Sequence, residues 1–243
     1  MFWSQLVDDA AVFPPVGLPL ERAVEQHREH LAADYADLVA SLVVPDTKLA
    51  DLRPLLDPVL DAGLAADRPL AITVLVTGGA GAIEPAVRWS EGDGLELRRV
   101  RVLLRDGGGL GDDLARNAQR VAAMVDHCGV DVPVHVEVPS SPETSEHAWS
   151  AALDEVAMAG LGLTVRADED LRRCLDAALD RETPFVVVGG PVREVLAATA
   201  SALHGDPSPD GWESARRWLS AVSIADVSEV HEELVDADLW RSP

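Results

Sequence analysis

The stretch Val134-His135-Val136-Glu137-Val138 decides the fold class, because apolar and polar side chains alternate along it. Successive residues of a β-strand point to opposite faces of the sheet. The three valines therefore share one face, and the histidine and the glutamate share the other. Central strands of an open, doubly wound sheet are covered by helices on both faces and are usually apolar throughout. The alternation therefore favours a closed barrel, whose interior can hold the polar face.

The predicted strands on either side of this stretch also have one apolar and one polar face. Their polar residues are Arg99, Arg101, Arg105, Thr164 and Arg166. An edge strand of an open sheet can show the same pattern, so a doubly wound parallel sheet remains the alternative architecture.

Seven strand–helix units follow one another at a spacing of about 30 residues, the size of a βαβ repeat. The first predicted strand is Leu6–Phe13, the second is Leu42–Val44 and the seventh is Phe185–Val188. The end of the chain is harder to interpret, because a helix is predicted over residues 212–222 and only Val222-Ser223-Ile224 follows as a short strand candidate. We expect one TIM-like (βα) barrel domain over residues 1–243, with an irregular or missing eighth strand.

The net charge of −22, from 20 basic and 42 acidic residues, excludes several classes of partner. Such a field repels phosphate backbones and anionic bilayers, so we expect neither nucleic-acid nor membrane binding. No apolar run approaches the ~20 residues of a membrane span, the first residues lack the pattern of a secretory signal, and the two cysteines form no disulfide framework. We therefore expect a cytoplasmic protein, in which an anionic ligand needs local arginines or backbone amides.

Active sites of barrels lie at the carboxyl ends of the strands, where four side chains form the main candidate site. We expect His135 and Glu137 to act as acid–base groups and Arg105 and Arg166 to hold a carboxylate or phosphate. The alternative is that Glu137 only pairs with an arginine and so compensates a buried charge.

Backbone amides after the seventh strand form a second candidate. Gly189 and Gly190 precede a predicted helix, a position where barrels often bind phosphate. An ordinary turn with Pro191 as the first helical residue explains the same sequence. The segment Thr77–Gly81 is also glycine-rich, but Glu84 stands where a dinucleotide-binding loop has its third glycine.

Other chemistries find less support in the sequence. Five acidic residues near strand ends could together hold Mg²⁺: Asp8, Asp46, Asp106, Glu137 and Asp168. Three of them, Asp46, Asp106 and Asp168, also suit helix N-caps, so we expect no metal and no cofactor. Lys48 is the only lysine and follows a strand end, which argues against a Schiff base. His27 and His30 lie on a predicted helix, and we expect them at the surface.

Three segments resemble a group of uncharacterised barrel-like proteins from high-GC bacteria: Leu6–Pro15, Val43–Asp46 and Val136–Pro139. The resemblance implies a TIM-type barrel. Members of the group carry Lys-x-Arg-Thr-Gly-Gly at strand six and paired histidines after strand seven. In this chain only Arg166 matches the first motif, and no histidine follows strand seven, which implies a divergent or inactive member.

These patterns lead to two functional hypotheses. The first is an enzyme of lyase, isomerase or hydrolase type that acts on a small anionic molecule. The second is a non-catalytic barrel that serves as a binding or structural subunit. Trp212, Trp218 and Trp240 near the carboxyl terminus indicate either a homodimer contact or packing of the last helices on the core.

Overall fold

The computed structural model describes residues 2–56, 69–92, 94–104, 114–140, 144–168 and 170–240. In this part of the chain, eight parallel strands form a closed barrel in chain order, with β8 paired to β1. The strands are β1 Val7–Asp9, β2 Val39–Pro45, β3 Leu70–Val76, β4 Leu95–Leu103, β5 Val134–Glu137, β6 Gly162–Arg166, β7 Phe185–Val188 and β8 Leu219–Ile224. The α/β barrel predicted from strand alternation is thus confirmed.

Helices cover the outside of the barrel and bury the apolar faces of the strands. The α-helices of the described residues are α1 Leu20–Ala32, α2 Leu49–Leu52, α3 Ile83–Ser90, α4 Leu114–Cys128, α5 Glu146–Met158, α6 Leu171–Asp180, α7 Val192–His204, α8 Trp212–Trp218 and α9 Val227–Asp236. In β3, for example, Ile72, Val74 and Val76 are fully buried and belong to the same core as Ala118 and Val121 of α4. None of the described helices is long and apolar enough to cross a membrane.

The eighth strand is present, so of the two expectations for it, an irregular or a missing strand, only the missing one is excluded. The predicted helix over residues 212–222 ends at Trp218, and Leu219 begins a six-residue strand. Val222 N donates a hydrogen bond to Leu6 O over 2.8 Å, which joins β8 to the start of β1. The strand was hard to recognise because small residues, Ala221 and Ser223, alternate with its apolar ones. An irregularity does occur where β8 pairs with β7, at Phe185 and Val186.

The first strand is shorter than the predicted Leu6–Phe13, because the chain turns directly after Asp9. Asp9 Oδ1 accepts a hydrogen bond from Ala11 N over 3.1 Å, and Phe13 N donates to Ala10 O. These local bonds remove residues 11–13 from the ladder, whereas Ala10 N still donates to Ile224 O of β8 over 2.7 Å. The second strand is longer than predicted, since it begins at Val39 and ends at Pro45.

His27 and His30 are buried, so their predicted surface position was wrong. His27 Nδ1 lies 3.0 Å from Asp9 Oδ2, and both side chains are fully excluded from solvent. Asp9 points from β1 towards α1, and a buried carboxylate there requires a polar partner on the helix. His30 Nδ1 lies 3.0 Å from the Tyr35 hydroxyl.

The tryptophans near the carboxyl terminus pack on the core. Trp212 and Trp240 are buried, and Trp218 is partly buried against the same core. The ring centroids of Trp3 and Trp212 are 6.0 Å apart in an edge-on arrangement. Of the two interpretations, helix-to-core packing describes these contacts.

Because β8 closes the barrel, we expect two leucine-to-alanine substitutions to change the free energy of unfolding by different amounts. Leu219 is fully buried in β8, whereas Leu31 of α1 is 44% exposed. We expect Leu219→Ala to lower the free energy of unfolding by about 2–5 kcal/mol, because it removes buried methyl groups and leaves a cavity. Leu31→Ala should stay within about 0.5 kcal/mol of the parent. Urea unfolding of the two variants measures the difference, and equal costs would contradict the position of Leu219.

Candidate functional site

A cluster of hydrogen-bonded polar side chains surrounds Asp8 in the barrel interior. Arg99 Nη1 donates to Asp8 Oδ2 over 2.7 Å, from β4 across the interior to β1. Ser41 Oγ donates to Asp8 Oδ1 over 2.7 Å and lies 2.7 Å from Thr73 Oγ1. Asp8 is fully buried, and an ion pair with further hydrogen bonds is the arrangement that a buried carboxylate requires. This pair neutralises the charge of Arg99.

Arg101 lies two residues further along β4 and has a different environment. It is 4% exposed, and Nη1 donates to Ser223 Oγ over 3.1 Å. Among the described residues it forms no ion pair with a carboxylate, and its Nε has no hydrogen-bond partner. Burial lowers the pKa of Arg101, an effect that Asp8 and Glu137 oppose. The guanidinium nevertheless stays charged, because arginine does not deprotonate in proteins.

His135 is the neighbour of Arg101 in the β4–β5 ladder and faces the same interior. It is buried, and neither ring nitrogen has a partner among the described residues. Burial, followed by the charges of Arg99 and Arg101, lowers the pKa of His135 to about 3. The imidazole is therefore neutral at neutral pH and can donate from one nitrogen and accept at the other.

The imidazole of His135 lies over Gly162 of β6. A Cβ atom at position 162 would come within 2.4 Å of His135 Cδ2. A glycine at this place is therefore what allows the ring to lie across the neighbouring strand.

Glu137 and Arg166 meet at the carboxyl ends of β5 and β6. Arg166 Nε donates to Glu137 Oε1 over 2.7 Å, and the side chain of Glu137 is largely buried while that of Arg166 is 59% exposed. The structure thus brings together two of the predicted site residues, Glu137 and Arg166, while His135 lies two residues deeper on the same face of β5. It also contains the ion pair that the non-catalytic alternative predicts. Arg105 and Asp106 lie outside the described residues.

Gly189 and Gly190 connect β7 to α7, and both have left-handed φ angles, 79° and 77°. The N–H of Gly189 already donates to Ser223 O over 2.9 Å. At Gly190 a Cβ atom would come within 2.7 Å of Ala167 Cβ. The two glycines are therefore explained by the turn and by close packing, and their role in anion binding stays a prediction.

Two of the aspartates considered as metal ligands, Asp46 and Asp168, accept hydrogen bonds from nearby loop residues. Asp46 Oδ1 accepts from Thr47 N and from Thr77 Oγ1, and Asp168 Oδ1 accepts from Asp170 N. In the described part of the chain, no group of three or more histidine, cysteine or acidic residues could hold a metal ion. Lys48 lies on a 3₁₀ helix after β2, Asp46–Lys48.

The glycine-rich segment after β3 borders a separate cavity of about 310 Å³ against α4. Gly78, Gly79 and Gly81 line it together with Asn117 and Arg120. None of the predicted site residues belongs to this lining.

Two interior residues with strong polar character were missing from the predicted site, Arg101 and Thr164. The sequence showed that both belong to a polar strand face. Their distance from the strand ends could have assigned them to the site. Each lies two residues before a strand-end residue of the same face, Leu103 or Arg166, and so one level deeper in the barrel.

The fold defines the chain as a closed eight-stranded α/β barrel, and the comparisons with solved structures agree. No protein-family model matches the chain, and neither does any curated protein. A candidate deoxyribose-phosphate aldolase from Toxoplasma gondii ME49 is similar over 100% of this chain and 96% of its own, with a TM-score of 0.64 and 12% identity. The deoxyribose phosphate aldolase from Aeropyrum pernix has a TM-score of 0.59 and 12% identity, over 97% and 92% of the two chains. Likeness at this identity establishes the barrel fold alone.

Because His135 lies against Gly162, we expect a single methyl group at position 162 to lower the stability of the folded protein. We expect Gly162→Ala to destabilise the protein by about 1–3 kcal/mol, because the ring of His135 must move in a packed interior. Gly81→Ala is the matched control, since a Cβ atom at position 81 would have nothing within 4 Å and the φ angle there is ordinary. Thermal or urea unfolding compares the two, and a cost at position 162 as small as at position 81 would argue against the buried ring.

Burial of neutral His135 predicts a loss of stability in acid. Below its ordinary pKa of about 6.5 the histidine of the unfolded chain takes up a proton that the folded protein excludes down to about pH 3. Stability should therefore fall as pH decreases from 6.5, with a contribution of up to about 1.4 kcal/mol per pH unit from this residue.

The variant His135→Gln should lose this part of the pH dependence, whereas His147→Gln, at an exposed position of α5, should retain it. Urea unfolding between pH 7 and pH 5 provides the slopes. Parallel slopes for the parent and His135→Gln would show that His135 titrates normally in the folded protein.

Proposed function

We propose that the barrel binds a small anionic substrate at the carboxyl ends of its strands and acts on it by acid–base chemistry of lyase, isomerase or hydrolase type. One observation carries the proposal: the described interior holds three arginines against two carboxylates. The arginines are Arg99, Arg101 and Arg166, and the carboxylates are Asp8 and Glu137. This local positive charge lies inside a chain with a net charge of −22, where it can attract an anion that the outer surface repels.

In this proposal Glu137 moves the proton. Its carboxylate lies at a strand end beside Arg166, within reach of a ligand that enters the mouth of the barrel. His135 is neutral at neutral pH, so it serves as a hydrogen-bond donor or acceptor towards the substrate and accepts a proton only weakly. Arg166, with the predicted contribution of Arg105, holds the anion.

A Schiff-base route is not part of our proposal. Lys48 is the single lysine of the chain, and it lies on the 3₁₀ helix after β2 instead of on a strand facing the interior.

The competing function is a non-catalytic barrel that serves as a binding or structural subunit. The ion pairs Asp8–Arg99 and Glu137–Arg166 favour it, because each carboxylate already has its cation. If the barrel is a structural subunit, Arg166 contributes only to its ion pair and no small anion stabilises the protein.

A thermal-shift experiment with Arg166→Ala tests the anion binding on which the proposed enzyme depends and separates it from a purely structural subunit. We expect acetate, malonate or inorganic phosphate, each replacing chloride at constant ionic strength, to raise the Tm of the parent in a concentration-dependent way. Arg166→Ala should weaken the response by about 10-fold, the effect of losing one charged hydrogen bond. Its Tm without ligand should fall modestly, because Arg166 itself is 59% exposed but its loss leaves the largely buried carboxylate of Glu137 without its partner.

Arg172→Ala is the matched control. The side chain of Arg172 is 56% exposed and pairs with Asp176 on the same helix, so its loss should leave the anion response unchanged. A large drop in Tm for Arg166→Ala, without any effect of anions on the parent, would support the structural subunit and contradict the enzyme.

A further inference from the structure

Arg101 is a buried cation without a counter-charge among the described residues. The two carboxylates nearest to it in the interior already have partners. Asp8 is paired with Arg99, and Glu137 is paired with Arg166. Within the described part of the chain, Arg101 donates to the neutral hydroxyl of Ser223. A buried charge without a partner is strongly destabilising, whereas a paired and hydrogen-bonded one is tolerated. The surroundings of Arg101 are thus suited to an anion.

The strands next to Arg101 present further buried polar atoms in the same part of the interior. Both ring nitrogens of His135, the hydroxyl of Thr164 and Nε of Arg101 have no hydrogen-bond partner among the described residues. His135 pairs with Arg101 on one side and with Gly162 on the other, and Thr164 follows two residues later on the same face of β6. Most buried polar atoms in proteins are hydrogen-bonded, so this concentration of unbonded polar atoms points to a polar ligand.

We propose that Arg101, His135 and Thr164 form an inner subsite that binds the carboxylate group of the substrate. The inference rests on the proposed function and names the group that enters deepest. The guanidinium can donate two parallel hydrogen bonds to a carboxylate, and the threonine hydroxyl and the neutral imidazole can each donate one more.

The charge balance favours a carboxylate over a phosphate. A carboxylate carries one negative charge and matches the one uncompensated guanidinium. A phosphate monoester carries nearly two charges at neutral pH and would leave an excess negative charge in a buried place. Since Glu137 lies two residues beyond His135 on β5, about 6.6 Å along the strand, the substrate class is a short-chain carboxylic acid whose reacting carbon lies on the Glu137 side.

The test is a titration of the parent and of Arg101→Met with acetate, in which the Tm is measured at each concentration. Acetate replaces chloride, so that the ionic strength stays constant. Arg101→Met should fold, because no described carboxylate depends on Arg101, and its Tm without acetate should equal or exceed that of the parent. Its apparent affinity for acetate should fall about 10-fold or more, the effect expected for a charged hydrogen bond. Arg172→Ala should bind acetate like the parent.

Thr164→Val and Thr164→Ser keep the proposal testable if Arg101→Met does not fold. Thr164→Val removes a hydroxyl that has no partner among the described residues, so it should leave stability unchanged and weaken acetate binding by about 5- to 10-fold. Thr164→Ser retains the hydroxyl and should bind acetate like the parent. Equal affinity of Thr164→Val and the parent would overturn the subsite.

The remaining outcomes separate this inference from the proposed function. If Arg166→Ala loses the acetate response while Arg101→Met keeps it, the inner subsite is wrong and the proposed function stands. If the parent binds inorganic phosphate more tightly than acetate, the carboxylate assignment is wrong. If no anion shifts the Tm of the parent, both proposals are wrong.

Discussion

A closed barrel forces every charge on the inner faces of its strands to find its counter-charge inside the same narrow space. Helices cover the outside, so an inward-pointing carboxylate or guanidinium has little access to water except near the mouth. Asp8 meets this constraint through Arg99, Ser41 and Thr73, and Glu137 meets it through Arg166. Arg101 is the described interior charge for which the chain supplies only a neutral hydroxyl, and the proposed chemistry follows from this imbalance.

The strand faces could be predicted from the sequence because their period is fixed by backbone geometry. The alternation of Val134, Val136 and Val138 with His135 and Glu137 was enough to favour a barrel with a polar interior, and the structure confirms that fold. Closure was not predictable in the same way. In β8 the interior residues are small, and a six-residue run that follows a helix directly gives no separate periodic signal.

The adjacency of Glu137 and Arg166 was also accessible from the sequence, because both end neighbouring strands. The pair of Asp8 and Arg99 was not, since it spans the interior from β1 to β4 and depends on the tilt and the stagger of the strands. The same holds for His27 and Asp9. A histidine on an amphipathic helix is usually exposed, and only the direction in which Asp9 points shows that this one is a buried partner.

The electrostatics of the interior link the two roles that we assign to it. Arg99 and Arg101 act together with burial to lower the pKa of His135. An anion beside Arg101 would offset part of that positive potential and so raise the pKa of the imidazole towards its ordinary value. Binding of the substrate would then change the protonation behaviour of the residue next to it, whereas without an anion the ring stays neutral. In our proposal, anion binding beside Arg101 and the protonation of His135 are therefore coupled through the charges of the β4–β6 face.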